Sequence, residues 1–212
     1  MTAFKNAQGN PILMKMVNAI QENKDYLGEV DGLIGDGDHG MNMNKGFTMF
    51  KKQYGQEPFL FTTGLCNLGN ILFSQIGGSM GPIYGTIFMD MGEAQEESEE
   101  IGVKELAQML ASGLEGLQEI VEAQVGDKTL VDTLAPAVAA LKKADEAGED
   151  LPQALEEMKA AAKKGMESTK DLAAKFGRSS RLGERSRGVL DAGSVSCCII
   201  LTAMADGILE LL

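Results

Sequence analysis

Apolar residues recur at helical spacing along most of the chain. In LAQMLASGLEGLQEIVEA (106–123) and LPQALEEMKAAAKKGM (151–166) they fall at i, i+3, i+4 and i+7, which predicts amphipathic helices. The alternation of apolar and polar positions that is typical of strands is nearly absent. The pattern predicts eight helices, near residues 10–24, 41–55, 58–76, 82–94, 102–123, 129–146, 151–175 and 192–211.

The composition supports a helical bundle. Ala, Leu, Met, Glu and Lys fill the predicted helices, and the chain has only five prolines among its 212 residues. No linker or repeat divides the chain, so we predict one domain over residues 1–212, with an all-α fold of antiparallel amphipathic helices. The acidic run GEAQEESEE (92–100) is interpreted as a solvated helix end and loop. Cys66, Cys197 and Cys198 fall in apolar helical stretches, which favours buried, reduced thiols.

The charge limits the classes of partner. Acidic residues outnumber basic ones 31 to 19, for a net charge of -12, and no basic run could follow a nucleic-acid backbone. A protein this acidic that handles phosphate must supply positive charge locally, through a metal ion, helix N-termini or a few arginines. The N-terminus lacks the features of a signal segment, and no stretch is expected to reach the length of a membrane span. We therefore predict a cytoplasmic protein that binds neither nucleic acid nor membrane.

Glycines cluster in four junctions between the predicted helices: 30–46, 76–85, 125–129 and 177–194. Ordinary bundle loops need only capping residues, so long glycine-rich junctions indicate backbone that approaches a ligand. The four junctions follow the first, third, fifth and seventh predicted helices. Because alternate loops of an up-and-down bundle lie at the same end, we expect all four junctions to meet there.

The first junction contains GDGDHG (35–40), which has the spacing of the dinucleotide fingerprint G-x-G-x-x-G but lacks its strand and βαβ context. An EF-hand is excluded because Met41 and Phe47 stand where the calcium loop needs glycine and glutamate. Three carboxylates remain, on Asp31, Asp36 and Asp38. Clustered carboxylates repel one another unless a cation neutralises them, and hard oxygen ligands suit Mg²⁺. The alternative is that all three are ordinary loop residues that cap helices or form Asx turns.

The other junctions offer groups that bind phosphate. Residues 77–82 can present several backbone N–H groups at a helix start, or can form a tight turn between helices. No P-loop motif is present. Residues 126–129 (GDKT) can cap the sixth predicted helix through Asp127 or Thr129. His39, the sole histidine, could accept a phosphoryl group, act as a general base or serve structurally.

The fourth junction carries four arginines in a chain that is otherwise poor in positive charge. Arginine suits bidentate contact with phosphate, although surface ion pairs are expected for at least two of the four. They are Arg178, Arg181, Arg185 and Arg187.

Four stretches in this order resemble a known family: GDGDHGMNMNKGF, GGSMGPIYGT, GDKTLVDTLAP and GRSSRLGERSRG with D-x-G soon after it. They are similar to the ADP-binding L subunits (DhaL/Dak2 family) of phosphotransferase-system-dependent dihydroxyacetone kinases. The resemblance runs from about residue 5 to the C-terminus. It implies a barrel of eight antiparallel helices with nucleotide and Mg²⁺ bound in the loops at one end.

The resemblance also implies roles for individual residues. Asp31, Asp36 and Asp38 would ligate a pair of Mg²⁺ ions, and Arg178 would reach the phosphates of ADP or ATP. No residue of this subunit would act catalytically beyond positioning. The remaining residues implied to bind the nucleotide are His39, Gly40, Met41, Asn42, Ser79, Met80, Leu130, Asp191, Ala192 and Gly193.

In such a system the L subunit holds its nucleotide and passes the γ-phosphoryl group to dihydroxyacetone, or a similar short ketose, on a K subunit. A phosphohistidine on a separate M subunit rephosphorylates the ADP in place. The resemblance also implies a homodimer and a transcription regulator as a further partner. Two alternatives stay open: a kinase subunit that exchanges ATP with solvent and serves a different substrate, and a nucleotide-dependent regulatory binding module.

Overall fold

A computed structural model describes residues 3–212 of the chain. Two short strands accompany the helices, β1 (Phe4–Lys5) and β2 (Glu100–Ile101). The α-helices of the described residues are α1 (Gly9–Glu22), α2 (Lys24–Ile34), α3 (His39–Tyr54), α4 (Phe61–Gln75), α5 (Met80–Glu93), α6 (Val103–Ile120), α7 (Val131–Ala147), α8 (Leu151–Ser168) and α9 (Ala192–Leu209). Short 3₁₀ segments lie at Asn6–Gln8, Thr169–Asp171 and Arg178–Ser186.

Eight of these helices form a closed ring. From α3 to α9 each helix packs against the next, and α1 closes the ring by packing against both α9 and α3. These are the eight helices that the apolar periodicity predicts, so the all-helical bundle is confirmed. The remaining helix, α2, packs on α3 and α9. It falls in the stretch whose glycines predict a junction, and it adds a ninth helix to the expected eight.

The interior of the ring is filled by one continuous set of apolar side chains drawn from all nine helices. The last helix, α9, is apolar on every side because Ile, Leu and Met alternate with Ala, Gly and Ser. By length and composition α9 could cross a membrane, with a mean hydropathy of 1.7, so the expectation that no stretch reaches that length is wrong. However, 72% of α9 is buried inside the protein, as in the core helix of a helical domain.

The cysteines are unpaired thiols. Cys197 and Cys198 are buried in α9, as predicted, and Cys66 is half-buried in α4. Burial raises the pKa of Cys66 and Cys198, so both thiols stay protonated near neutral pH and are poor nucleophiles.

The N-terminal residues fasten the far end of α5. β1 pairs antiparallel with β2, and the buried amide of Asn6 donates to the Ser98 carbonyl at 2.7 Å and to Thr62 Oγ1 at 3.0 Å. The acidic run 92–100 forms the end of α5, the loop after it and the first residue of β2, and it includes Ser98 and Glu100, which make two of these contacts.

Helix α8 ends earlier than the periodicity predicts. It stops at Ser168 rather than at residue 175, and the chain continues through the Thr169–Asp171 turn into a mostly exposed segment. Gly177, Gly183 and Gly188 in this segment all have positive φ, which interrupts helical structure. The result is a long excursion between α8 and α9.

Gly165 lets α8 approach the start of α7 closely. A Cβ at this position would collide with the Asp132 carbonyl oxygen and come within 3.3 Å of Thr133 Cα. Alanine normally stabilises a helix over glycine by about 0.5–1 kcal/mol, whereas overpacking costs about 1–3 kcal/mol. We therefore expect Gly165→Ala to lower the free energy of unfolding by about 1–2 kcal/mol in urea denaturation.

The matched control for Gly165→Ala is Ala160→Gly at an exposed position of the same helix. It should cost about 1 kcal/mol through helix propensity alone. A Gly165→Ala protein as stable as the wild type would contradict the close approach of α7 and α8.

Candidate functional site

A cavity of about 640 Å³ opens at one end of the ring, and residues from all four glycine-rich junctions line it. The end of α6 contributes an apolar side through Leu117, Val121 and Ala123. Phe176, which is 37% exposed, lies at the edge. The structure thus brings together the four junctions that sequence spacing expects to meet. The cavity combines polar loops with an apolar wall, as small-molecule sites commonly do.

Four helices begin at this cavity. His39, Met80, Val131 and Ala192 are the first residues of α3, α5, α7 and α9, and all four line it. The first backbone N–H groups of a helix have no partner within the helix and carry partial positive charge. Several such ends around one cavity create a site for anions. This arrangement supplies local positive potential in a chain whose net charge is -12.

The aspartate cluster forms one wall of the cavity. One carboxylate oxygen each from Asp31, Asp36 and Asp38 lie within 4.8 Å of one another. Asp31 is half-buried at the end of α2, and the other two are exposed. Gly37, with φ +77°, turns the chain between them and packs on Gly28 and Gly32 of α2. Three acidic oxygens this close repel one another, and hard oxygen donors suit Mg²⁺, so the donor set fits this ion.

Arg178 extends from the α8–α9 segment to this cluster. Its guanidinium forms an ion pair with the Asp36 carboxylate, and it lines the cavity. Arg187 pairs with Glu184 on the surface, whereas among the described residues no ion pair is found for Arg181 or Arg185, and neither of these two lines the cavity. Only Arg178 of the four therefore lies where it could contact a phosphate in the cavity.

Across the cavity, the chain between α4 and α5 forms a loop of small residues. Gly77 and Gly78 are open on the side where a Cβ would lie, and Gly78 has φ +74°. Ser79 precedes α5 without using its side chain as a cap, so the backbone N–H groups at this helix start remain available. Met80 turns inward and packs on the apolar core. The loop can therefore receive an anion through its backbone.

His39 belongs to a chain of polar groups that joins three of the helix starts. His39 Nε2 lies 2.8 Å from Ser196 Oγ, and Ser196 Oγ lies 2.6 Å from the Tyr84 hydroxyl. The Tyr84 hydroxyl also donates to the Gly193 carbonyl at 3.1 Å. Burial lowers the pKa of His39 to about 4, against the opposing effect of Asp31. The neutral imidazole is thus fixed between α3, α5 and α9.

An aspartate lies at the start of α9 and another at the start of α7. Asp191 accepts from Ser194 N at 2.8 Å at the beginning of α9, and burial raises its pKa to about 6. At α7, Asp132 folds back and accepts from Thr129 N at 2.8 Å and from Gly126 N at 2.6 Å. This differs from the predicted cap by Asp127 or Thr129.

The Thr129 hydroxyl accepts from Val131 N at 3.2 Å, and Asp127 accepts from Gln124 N and pairs with Lys175. The Asp127–Lys175 hydrogen bond and the one from Gln124 N lower the pKa of Asp127. The GDKT stretch thus shapes the junction, and the predicted cap of this helix by Asp127 or Thr129 is wrong because, in the part of the chain that the structure describes, no side chain caps the start of α7.

Most of the residues implied to bind nucleotide lie on the cavity wall: His39, Asn42, Ser79, Met80, Leu130, Arg178, Asp191, Ala192 and Gly193. Gly40 and Met41 do not. Gly40 is buried against α2, where a Cβ would collide with the Lys24 carbonyl oxygen. Met41 is 69% exposed on the outer side of α3. Gly40 thus permits the close packing of α2 on α3.

Two cavity residues carry no sequence signal of their own. Lys128 is 1% exposed, although a lysine beside glycine and aspartate in a loop suggests a solvated side chain. Tyr84 is 3% exposed, and its partner Ser196 lies 112 residues away in sequence. The helical spacing places Tyr84 of α5 and Ser196 of α9 in the core, but it does not reveal that these two side chains are in contact.

We expect Tyr84→Phe to lower the free energy of unfolding by about 1–2 kcal/mol. The substitution keeps the ring but removes the hydroxyl that joins Ser196 to the Gly193 carbonyl, and buried groups that lose a partner cost about that much. Urea denaturation of Tyr84→Phe measures the effect. Tyr54→Phe, which removes an exposed hydroxyl bonded to Gln53, is the control and should cost less than about 0.5 kcal/mol. Equal losses in the two variants would contradict a buried network.

Comparison with known proteins places the chain among kinase subunits. The DAK2 domain matches residues 33–206. Over 186 residues the chain is 39% identical to the PEP-dependent dihydroxyacetone kinase 1, ADP-binding subunit DhaL, of Listeria innocua serovar 6a, covering 87% of this chain and 88% of that one. It is 35% identical over 184 residues to the PEP-dependent dihydroxyacetone kinase, ADP-binding subunit DhaL, of Escherichia coli K12, covering 85% of this chain and 87% of that one.

A solved structure has the same fold. The dihydroxyacetone kinase from C. freundii in complex with AMP-PNP and Mg²⁺ superposes with a TM-score of 0.72 at 22% identity. The match covers 97% of this chain and 35% of that one, so this chain spans about a third of the length of that kinase. At this identity the likeness concerns the fold alone.

Proposed function

The chain belongs to the DAK2 domain family, and from this premise we propose that it is the nucleotide-binding subunit of a phosphoenolpyruvate-dependent dihydroxyacetone kinase. It holds ADP or ATP with Mg²⁺ in the cavity. The phosphoryl group enters from a phosphohistidine on an M subunit and leaves to dihydroxyacetone, or a similar short ketose, on a K subunit. The relatives at 35–39% identity are named as ADP-binding subunits of such kinases.

One observation carries the proposal: three clustered carboxylates and four helix starts lie around the same cavity. Carboxylates alone would repel a diphosphate, and helix starts alone would not explain why acidic groups stand beside them. A site for a magnesium–nucleotide complex needs both, since the metal binds the carboxylates while backbone N–H groups bind phosphate oxygens.

We assign separate groups of residues to the metal, the phosphates and the base. Asp31, Asp36 and Asp38 hold the metal, for which we propose a pair of ions, and the metal neutralises negative charge on the phosphates. The Gly77–Met80 loop and Arg178 bind the phosphate oxygens. Leu130 and the apolar end of α6 pack against the base.

This chain contributes positioning and charge compensation rather than a nucleophile. Phosphoryl transfer depends mainly on such terms, because the transition state spreads charge over the phosphoryl oxygens. The Nε2 of His39 is engaged by Ser196 Oγ, which favours a structural role over that of a phosphoryl acceptor. We also propose a homodimer and a cytoplasmic location, where phosphoenolpyruvate is available.

Reconstitution tests the function. The purified chain is combined with K and M subunits, the phosphotransferase carrier proteins, phosphoenolpyruvate, Mg²⁺ and dihydroxyacetone, and the phosphorylated ketose is measured. We expect product that depends on this chain and continues after free nucleotide has been removed. Product formed only with added ATP would favour the subunit that exchanges nucleotide. No product from any short ketose, together with binding to a transcription regulator, would favour the regulatory module.

A further inference from the structure

Lys128 is an interior lysine at the cavity. Its side chain is 1% exposed, and its backbone has φ +61°, a left-handed conformation that residues with a Cβ rarely adopt. Burial lowers the pKa of Lys128, and Asp191 opposes this effect. A buried cation in an uncommon backbone conformation persists only where the surrounding structure holds it.

The contacts of Lys128 join two distant points of the chain. Its Nζ donates to the Thr169 carbonyl at 2.5 Å and to the Val189 carbonyl at 2.6 Å. Both acceptors are neutral backbone groups, so the ammonium serves here as a donor of hydrogen bonds more than as a member of an ion pair. Since an ammonium has three N–H donors, it can bind two carbonyls at once and so hold them together.

The two carbonyls flank residues 170–188, a segment that we call the arginine loop. Two further bonds lie at its base: Gly188 N donates to the Lys170 carbonyl at 2.8 Å, and Asp191 N donates to Thr169 Oγ1 at 3.1 Å. Beyond this base the arginine loop is mostly exposed and contains three glycines with positive φ. Beyond the base, Lys175 N donates to the Asp127 carbonyl at 3.2 Å and Ala174 N donates to the buried Ser186 Oγ at 2.8 Å, so the base acts together with these contacts to fix the course of the loop.

The arginine loop carries Arg178, which pairs with Asp36 of the aspartate cluster. Arg178 lies near the middle of the loop. The position of its guanidinium over the cavity therefore depends on the position of the loop's two ends. We infer that Lys128 is a positioning residue that closes the base of the arginine loop and so holds Arg178 over the phosphate end of the cavity. The inference rests on the proposed function only for the identity of the ligand.

The first test uses Lys128→Met, which keeps an unbranched side chain of nearly the same length but removes its three donors. Limited trypsin digestion reports on the arginine loop directly, because the loop contains four arginines and two lysines at which trypsin cleaves. We expect cleavage within 170–188 to accelerate at least tenfold, with cleavage elsewhere unchanged. Lys159→Met, which removes a lysine bonded to Glu156 and Asp206 between α8 and α9, is the control and should leave the loop as resistant as in the wild type.

The second test separates positioning from a general structural role. By titration calorimetry in Mg²⁺, we expect Lys128→Met and Arg178→Ala each to weaken ADP binding about tenfold. In the Arg178→Ala background, Lys128→Met should cause less than a twofold further loss, since the group that it positions is already gone. Multiplying losses would overturn the inference, because they would mean that Lys128 acts on the nucleotide independently of Arg178.

Two further results are possible: the wild type does not bind ADP, or Lys128→Met does not fold. A wild-type protein that does not bind ADP would contradict the proposed function, while the trypsin measurement would still test the loop closure. If Lys128→Met does not fold, Lys128→Gln, which retains one donor group, is expected to give intermediate trypsin sensitivity. Wild-type resistance and wild-type ADP affinity in either folded variant would overturn the inference.

Discussion

Asp36→Asn is expected to weaken ADP binding in the presence of Mg²⁺ by roughly 100-fold or more, since even outer groups around a metal commonly contribute 10–100-fold. The substitution keeps the shape of the side chain but removes one of the three clustered negative charges. A neutral amide is a weaker ligand for Mg²⁺ than a carboxylate. Titration calorimetry with ADP and Mg²⁺ measures the loss.

When the metal is chelated, we do not expect Asp36→Asn to weaken ADP binding. Without Mg²⁺ the three carboxylates repel the diphosphate, and Arg178 is engaged by Asp36. Asp36→Asn relieves both effects, so in EDTA its affinity for ADP should equal or exceed that of the wild type. Asp25→Asn, an identical change of charge at an exposed position of α2, is the control. Equal losses with and without Mg²⁺ would indicate that Asp36 supports the fold rather than a metal.

Removal of Mg²⁺ from the nucleotide-loaded wild type is the second large expected effect. A ligand at about 100 times its Kd adds about 2.7 kcal/mol to stability, which for a chain of this length raises Tm by about 5–10 °C. We expect this increase with ADP and Mg²⁺ together, and little increase with ADP in EDTA. Differential scanning calorimetry of the four combinations measures both ligands and their coupling.

The expected coupling between ADP and Mg²⁺ follows from the geometry. Each ligand alone meets a partly repulsive site, because the carboxylates oppose the phosphates and the helix starts oppose the cation. When ADP and Mg²⁺ bind together, each offsets the repulsion that the other meets alone. Additive increases in Tm from ADP and from Mg²⁺ would contradict a site in which the metal lies between the aspartates and the phosphates.

The ring could be predicted from the sequence because its helices show clear apolar periodicity. Helix α2 could not: its sequence KDYLGEVDGLI buries only Leu27 and Val30 and contains two glycines that resemble part of a loop. Those glycines instead allow Gly37 to pack on α2 and so place Asp36 and Asp38 beside Asp31. The missing helix is thus the one that shapes the aspartate cluster.

The candidate site was predictable where its residues lie in short, glycine-rich stretches, and less so where it depends on contacts between distant elements. The spacing of Asp31, Asp36 and Asp38 leaves ordinary loop residues as an alternative, and the structure brings one oxygen of each within 4.8 Å of the others. Lys128 and Tyr84 find their partners on α9 and in the segment between α8 and α9, which no local pattern reveals. Gly40 shows the converse, since close packing of α2 on α3 explains a glycine that resemblance assigns to the nucleotide.

The central claim is that the cavity holds a magnesium–nucleotide complex. The most direct test is to purify the chain in Mg²⁺, denature it, and identify the released small molecules by chromatography, with titration of ADP and Mg²⁺ into any nucleotide-free fraction. We predict ADP or ATP in near-stoichiometric amount, or uptake of ADP that requires Mg²⁺. A purified, folded chain that releases no nucleotide and takes up none when both ADP and Mg²⁺ are supplied would contradict the claim.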